Sequence, residues 1–353
     1  MSSPSTADPP GREATGAFGI GTFAIDDSSV PVLVSGDDAY DIGSILPGVT
    51  RTGDLFAAWD ENLDALAAFL TDPTVASLPR EALEQEGRLR VLPPVQPVGP
   101  ILAAGVNYRE HILQMAVAHK LGEDGASDEQ LLADAAADID RRVATGDPYM
   151  WTGIPSAVSG AYDDVQLPDF GTDVDWEAEL GVVIGRRAHR VSVDDALQYV
   201  AGYVVVNDVS IRSLVARRDV AMVGTDWFRA KNQPTFFPTG PVLVPARFVS
   251  DPMDLPIQLR LNGDLMQDST TANMAFGVRE LISYASSVAA LDPGDLIITG
   301  SPAGNGSHWK RFLRGGDVME VTIDGLGTQR TPVKAPTGAQ PPWQASRAQG
   351  GSE

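Results

Sequence analysis

The 353-residue chain contains no cysteine. That absence removes disulfide frameworks, thiolate metal sites and cysteine nucleophiles together, and it fits a reducing compartment. Basic residues are scarce: 26 Lys and Arg stand against 47 Asp and Glu, a formal net charge of -21. A phosphate backbone would meet repulsion from the whole molecule, so nucleic acid is excluded as an expected partner. No apolar stretch comes near the roughly 20 residues needed to span a bilayer. The opening residues MSSPSTADPPGREATG also lack the basic-then-apolar order of a secretion signal. The expectation is a soluble, cytoplasmic protein with no membrane partner. Aromatic residues are only 7% of the chain, while 35 glycines and 26 prolines favour a turn-rich, β-containing fold over a helix bundle. Hydrophobic residues make up 43%, enough for one large domain or a small domain attached to a larger one.

The low-complexity stretches at residues 1–16 and 335–353 are expected to be disordered tails, because they are rich in Pro, Ser and Gly and nearly devoid of large apolar side chains. Residues 17–95 read as a small N-terminal domain. Short apolar runs (FGIGTFAI, VPVLV) are punctuated by Asp, Ser and Gly, and a helical recurrence of Leu55, Ala58, Leu63, Leu66 and Leu70 stops at Asp72-Pro73. The segment LPPVQPVGP marks the boundary to a second unit over 96–334. That unit opens with the strand ILAAGVNY and the helical REHILQMAVAHK. Ser127 and Gln130 then have the form of a capping box, opening a helix over about 128–144. Its apolar face is expected to carry Leu131, Leu132, Ala135, Ile139 and Val143, and its polar face Asp134, Asp138 and Arg142. From Tyr162 onward strands dominate, interrupted by one long helical stretch, ANMAFGVRELISYASSVAAL.

The sharpest local feature is Asp175-Trp176-Glu177-Ala178-Glu179-Leu180. In a strand, residues i and i+2 point to one face, so Glu177 and Glu179 project together about 7 Å apart. Two carboxylates that close repel unless a cation lies between them or one is protonated. Taken alone, this is equally the solvated edge of a strand. Asp208, directly after the apolar run Tyr203 to Val206, is a further carboxylate in a similar setting, although an acid at a strand end is commonly a turn former. His111 lies in the loop after an apolar strand, suited to a general base or to a surface role. Lys231 has aromatic neighbours that would either desolvate it or merely carry its stem. The loop Thr299-Gly300-Ser301-Pro302-Ala303-Gly304-Asn305-Gly306 lets backbone approach a ligand, but it lacks the ending of a phosphate loop.

The order of these pieces is more specific than any one of them. GVNYREH, DWEAELGVVIG, GYVVVNDVSIR, WFRAKNQPTFFPTGP and LDPGDLIITGSPAGNG follow one another as in the fumarylacetoacetate hydrolase family, and the chain from about Val98 to Val333 resembles that family. The resemblance implies an α+β, β-rich fold: a mixed β-roll of the fumarylacetoacetate hydrolase type with a small N-terminal domain, usually dimeric. It further implies that Glu177, Glu179 and Asp208 bind one divalent cation and that His111 is the catalytic base. Lys231 then orients substrate or stabilises charge, Tyr108, Arg109 and Ser301 lie on the substrate side, and Arg212 is a structural or substrate-side charge. An all-oxygen ligand set suits Mg2+, with Mn2+ or Ca2+ as alternatives, and disfavours Zn2+.

The sequence departs from the family pattern in several places. Gln114 stands where relatives place a glutamate three residues after the histidine, and a glutamine cannot stabilise imidazolium with charge. Ser213 follows Arg212 where an Asp is frequent, Gly153 replaces a lysine, and residues 117–147 read as an insertion at the position of a short lid. The implied activity is metal-assisted, hydrolytic C–C cleavage of a β-diketo acid such as an acylpyruvate, a small dicarbonyl substrate. The alternatives are decarboxylation or keto–enol isomerisation of an oxaloacetate-like β-keto acid, which needs no attacking water, and a non-catalytic metal-binding relative.

Overall fold

A computed structural model describes residues 17–338, apart from Asp27, His119, Leu121, Asp124, Ala221 and the side chain of Arg218. The tails expected to be disordered lie outside the described residues, except for 335–338. Those four are held in part by Gln166, whose Nε2 donates to the Ala335 carbonyl at 2.8 Å, and by Asp169, which accepts from Thr337 Oγ1 at 3.0 Å.

The first part of the chain folds as β1 (Gly19–Ile25), β2 (Ser28–Ser35), β3 (Asp38–Asp41), α1 (Ile42–Ile45), α2 (Trp59–Thr71), α3 (Arg80–Gln85) and β4 (Leu89–Leu92). The strands form one antiparallel sheet in the order β3-β2-β1-β4. Leu55, Leu63, Leu66 and Phe69 pack α2 and the turn before it against Phe18, Ile20 and Leu33. The leucine spacing therefore does point inward, although residues 52–58 form a tighter 3-10 turn before the α-helix begins. This sheet leans on the rest of the chain: Ile20 and Leu243 exchange both backbone hydrogen bonds, at 2.9 and 2.8 Å, and Phe18 meets Phe248 edge-on.

The remainder begins with β5 (Ile101–Gly105), α4 (Arg109–Ala118), α5 (Asp128–Thr145), β6 (Tyr149–Gly153), β7 (Val158–Gly160) and β8 (Val165–Gln166). It continues through β9 (Val174–Asp175), β10 (Ala178–Ile184), β11 (Val200–Asn207), β12 (Ser210–Ile211), α6 (Arg212–Val215) and α7 (Trp227–Lys231). It then runs through β13 (Phe237–Thr239), β14 (Val244–Pro245), β15 (Pro256–Leu261), β16 (Asp264–Thr270) and α8 (Val278–Val288). It closes with β17 (Leu296–Ile298), α9 (Gly306–Trp309), β18 (Val318–Ile323) and β19 (Gly327–Lys334). A mixed sheet runs β6-β5-β17-β10-β11-β13-β7, with β14 also on β11, and a second sheet runs β16-β15-β18-β19-β8.

One face of the mixed sheet (Leu180, Val182, Tyr203, Val205) joins the core formed with Ile257, Leu259, Met319 and Val321 of the second sheet. The other face (Val183, Val204, Val206, Ile298) packs with Ile101 and Phe237. Burial on both faces explains why these strands read as continuous apolar runs rather than alternations. The curled, mixed sheet is the β-roll that the sequence leads one to expect.

The long helical stretch of the sequence is helical only from Val278 to Val288. Upstream, Tyr108 bridges Met274, and the Asn107 side chain accepts from the Phe276 backbone N–H at 2.9 Å while donating to the Phe276 carbonyl at 2.9 Å and to the Thr299 carbonyl at 2.8 Å. Three backbone groups claimed by one buried amide hold this segment extended against its local propensity. Replacing Asn107 by Ala strands those groups, and we expect a loss of roughly 2–4 kcal/mol in stability, measured by urea unfolding. A loss below about 0.5 kcal/mol would show that the amide does not organise this junction.

Candidate metal centre

Strand pairing brings the chemistry to one edge of the mixed sheet. In the antiparallel pair of β10 and β11, Ala178 faces Asn207, so Glu177 just before β10 lies beside Asp208 just after β11. The Asp208 N–H donates to the Glu177 carbonyl at 2.8 Å, and Asn207 Oδ1 accepts from the Glu177 N–H at 3.0 Å. Gly181 of β10 faces Ile298 of β17, so the loop after β17 passes Glu179, and Gly300 N–H donates to Glu179 Oε2 at 2.7 Å. β5 runs parallel to β17 and delivers Asn107, Tyr108 and α4 to the same edge.

Glu177, Glu179 and Asp208 each offer a carboxylate oxygen, all within 4.8 Å of one another. Their exposures are 5%, 1% and 2%, so the solvated-edge reading fails for this pair. Glu177 precedes β10 instead of lying within it, and it follows Trp176, an indole that is 0% exposed. Lys231, at the end of α7 and 2% exposed, donates from Nζ to Glu177 Oε2 at 2.6 Å and to Asp208 Oδ2. Trp151 and Trp227 flank that ammonium, with ring centroids 5.3 and 5.5 Å away. Arg212 donates from Nη2 to Glu177 Oε1 at 2.6 Å and from Nε to Asp175 Oδ2 at 2.7 Å. His111, in the first turn of α4, holds Nε2 at 3.6 Å from Glu177 Oε1.

The electrostatics follow from burial and these partners. Burial alone would raise Glu177, but Arg212 and Lys231 outweigh it and hold its carboxyl far below the usual range. Burial and then repulsion from Asp208 push Glu179 well up. Burial raises Asp208 to about 6, against the pull of Lys231 and with a push from Glu177. Lys231 is held above its ordinary value, because Asp208 and Glu177 more than offset its burial. Counted with the fully buried Asp175, four carboxylates face the two cations Arg212 and Lys231, so with all four ionised the site carries a formal surplus of two negative charges, which is what raises Glu179 and Asp208. Asp208 Oδ1 and the Tyr108 hydroxyl are also buried with no hydrogen-bond partner. A hard divalent cation meets each of these demands: charge two, carboxylate oxygens only, and an orphaned acceptor.

The other expected residues are distributed as follows. Tyr108 is buried, and burial together with Glu179 raises its hydroxyl. Ser301 is buried and accepts from Gln267 Nε2 at 2.9 Å. Gln114 Oε1 accepts from the Gly304 N–H at 2.9 Å, tying α4 to the glycine-rich loop. Arg109 turns outward and pairs with Asp140 of α5. Glu110 and Glu123, the acids near His111 in sequence, are exposed, and a carboxylate beside the imidazole is that of Glu177. Gly153 has no room for a side chain, since a Cβ there would sit 3.1 Å from Ile101 and 3.2 Å from Phe237.

The insertion contains the helix expected from its capping box, with Ser127 Oγ accepting from the Gln130 N–H at 3.2 Å. Its buried face differs from the expected one. Leu131 and Ile139 are buried, but Leu132 and Val143 are exposed. The inward row is Leu131, Ala135, Ile139 and Arg142, spaced i, i+4, i+8, i+11. Arg142 was assigned to the polar face because it is charged; its stem is long enough to pack inward. Its guanidinium donates to the Val106 carbonyl and stands 5.7 Å from the Phe276 ring centroid. Sequence reasoning also missed Asp175, whose only signal was its place two residues before Glu177.

A model of the fumarylacetoacetate (FAA) hydrolase C-terminal region matches residues 100–334. The chain is 42% identical over 274 residues, 77% of its length and 84% of the relative's, to a 2,4-didehydro-3-deoxy-L-rhamnonate hydrolase of Sphingomonas sp. (strain SKA58). It is 34% identical over 247 residues, 69% of its length and 68% of the relative's, to a mitochondrial oxaloacetate tautomerase of Xenopus laevis. Among solved structures, maleylpyruvate hydrolase from Sphingobium sp. SYK-6, in complex with manganese(II) and pyruvate, aligns with a TM-score of 0.67 at 27% identity, covering 90% of this chain and all of that one.

Two outcomes follow. Because burial raises Asp208 to about 6 and pushes Glu179 well above the ordinary carboxylate range, protons compete with a cation for these oxygens. The rise in melting temperature caused by saturating Mn2+ should be large at pH 8 and shrink as the pH falls through about 6; a rise that is constant from pH 5 to 8 contradicts this. Replacing Arg142 by Ala should unlatch α5, seen as at least tenfold faster protease cleavage within 128–145. Unchanged cleavage would mean that other contacts hold the helix.

Proposed function

The chain belongs to the fumarylacetoacetate hydrolase family, an enzyme family of hydrolases, isomerases and tautomerases, and on that premise we propose a divalent-cation-dependent hydrolase that cleaves the C–C bond of a 2,4-diketo acid of acylpyruvate type. One observation carries the proposal: a buried triad of Glu177, Glu179 and Asp208 whose oxygens lie within 4.8 Å of one another and outnumber the cations that touch them, faced by Lys231 and His111. Support for a cleavage reaction comes from the rhamnonate hydrolase relative and from the maleylpyruvate hydrolase that holds manganese(II) and pyruvate. The proposed ion is Mg2+, with Mn2+ as a substitute. A homodimer and a cytoplasmic location are part of the same proposal. Among the described residues no helix is long and apolar enough to cross a membrane.

When bound, the cation supplies Lewis-acid polarisation of two substrate oxygens. His111 accepts a proton from water, and the resulting hydroxide adds to the C4 carbonyl. Breaking the C3–C4 bond leaves the electron pair on the pyruvate fragment as an enolate, which takes a proton at C3, while the acyl fragment departs as a carboxylic acid. Lys231 balances charge on the enolate oxygen. Glu177, held close to His111 while its own charge is held by Arg212 and Lys231, favours the imidazolium formed in the first step. Tyr108 and Ser301 stand on the substrate side. Arg109, committed to Asp140, contributes through α5.

A second reading is keto–enol tautomerisation of an oxaloacetate-like β-keto acid, as the Xenopus relative is named. It is favoured by Gln114, whose side-chain oxygen is spent on Gly304, and it needs no water-activating pair. Decarboxylation shares the same requirement.

Incubation with Mg2+ and a panel of acylpyruvates and oxaloacetate separates the readings: two carboxylic-acid fragments for hydrolysis, loss of enol absorbance or CO2 release for the alternatives, no change for a non-catalytic relative. Under the hydrolase reading, Glu179→Gln should lower kcat/KM at least a hundredfold without unfolding the chain. Full activity of Glu179→Gln, or of the wild type in excess chelator, would overturn it. Gln114→Glu keeps an acceptor for Gly304 and adds a charge near His111; that charge is worth on the order of 1–3 kcal/mol, so hydrolysis should rise by about fivefold to a hundredfold. A fall in hydrolysis would show that the neutral amide is required.

A further inference from the structure

We propose that Asp175 is a positioning residue that acts on the metal centre through Arg212, fixing Glu177 so that a single oxygen, Oε2, is presented to the cation. The inference rests on the metal reading above and extends it to a residue outside the triad. Asp175 is 0% exposed and carries the last position of β9. Its Oδ1 accepts from the Trp176 N–H at 2.8 Å and from the Gly306 N–H. Its Oδ2 accepts from Arg212 Nε at 2.7 Å, and more weakly from Ser307 N and Oγ at 3.4 and 3.5 Å. Arg212 is the cation that stands against this buried carboxylate.

The guanidinium is a planar fork, and its two arms are committed to different carboxylates: Nε to Asp175 and Nη2 to Glu177 Oε1 at 2.6 Å. With Oε1 taken, Glu177 turns Oε2 toward Asp208 and Lys231. Without Asp175 the fork loses its anchor and is free to swing toward Glu177 and cover both oxygens. The same loop that donates Gly306 N–H to Asp175 donates Gly300 N–H to Glu179 and Gly304 N–H to Gln114. Asp175 therefore also ties the first residue of α9 to the end of β9, two residues before Glu177. A close approach is required at that point, since a Cβ on Gly306 would sit 2.6 Å from Asp175 Oδ1.

The test is a double-mutant cycle on Mn2+ affinity, measured by calorimetry on the full chain without substrate, with thermal unfolding as a fold control. Partners that orient metal ligands typically contribute ten- to a hundredfold in affinity. Asp175→Asn, nearly isosteric, should weaken Mn2+ binding at least tenfold, and Arg212→Gln should weaken it comparably. If Asp175 acts through Arg212, adding Asp175→Asn to Arg212→Gln should weaken binding less than threefold further. Fully multiplicative losses, or an Asp175→Asn protein that loses thermal stability but binds Mn2+ like the wild type, would overturn the proposal and leave Asp175 as a cap for α9. Should Asp175→Asn fail to fold, Ser307→Ala and Arg212→Lys keep the question open to measurement. The proposal requires the first to leave affinity within threefold and the second, which cannot fork, to weaken it at least fivefold; the reverse ranking rejects it. Failure of the wild type to bind Mn2+ is a separate result that removes the metal reading itself.

Discussion

Repulsion among buried carboxylates is the constraint on which the site depends. Asp175, Glu177, Glu179 and Asp208 are all within the interior, where opposing charges must be close and well aligned to offset the loss of water. Arg212 and Lys231 supply half of the compensation and pull Glu177 far below its ordinary range, while Glu179 and Asp208 are left raised. The fold tolerates this arrangement because the residual demand has a defined chemistry. The surplus of acid and the hard oxygen donors suit a divalent cation, which could complete the electrostatics of the triad.

The scaffold supplies the rigidity. Both faces of the mixed sheet are packed, so the ends of β5, β10, β11 and β17 cannot shift independently. Asn107 and the backbone N–H groups of the loop after β17 convert that rigidity into side-chain placement: one fixes the approach to α4, the others hold Glu179, Gln114 and Asp175. Regions expected to adjust lie outside this frame, on α5, whose docking depends on Leu131, Ile139, Arg142 and the exposed pair of Arg109 with Asp140.

Much of this was legible in the chain because the motifs are contiguous and their order is preserved. Glu177, Glu179, Asp208, His111 and Lys231 were named from sequence, and the structure brings all five together. What could not be read depends on three-dimensional partners. Asp175 looks like any acid ahead of a strand until Arg212, 37 residues later, closes on it. Gln114 could be marked as unusual, but its bond to Gly304 spans 190 residues. Arg142 escapes a periodicity reading because that sorts residues by polarity, whereas a half-buried arginine can pack inward with its guanidinium against a carbonyl and a ring. The long helical pattern before Val278 ends for a similar reason: local propensity loses to two hydrogen bonds between the Phe276 backbone and the distant Asn107 amide.

The central claim is that the triad is a site for one divalent cation. Anomalous diffraction at the manganese edge, from crystals of the wild-type protein grown with Mn2+ at pH 8, addresses it directly. The account predicts a single strong peak at about 2.1 Å, the distance typical of small hard divalent cations, from one oxygen each of Glu177, Glu179 and Asp208. A map with no peak among these carboxylates, or with manganese bound only at surface acids of this acidic chain, would contradict it.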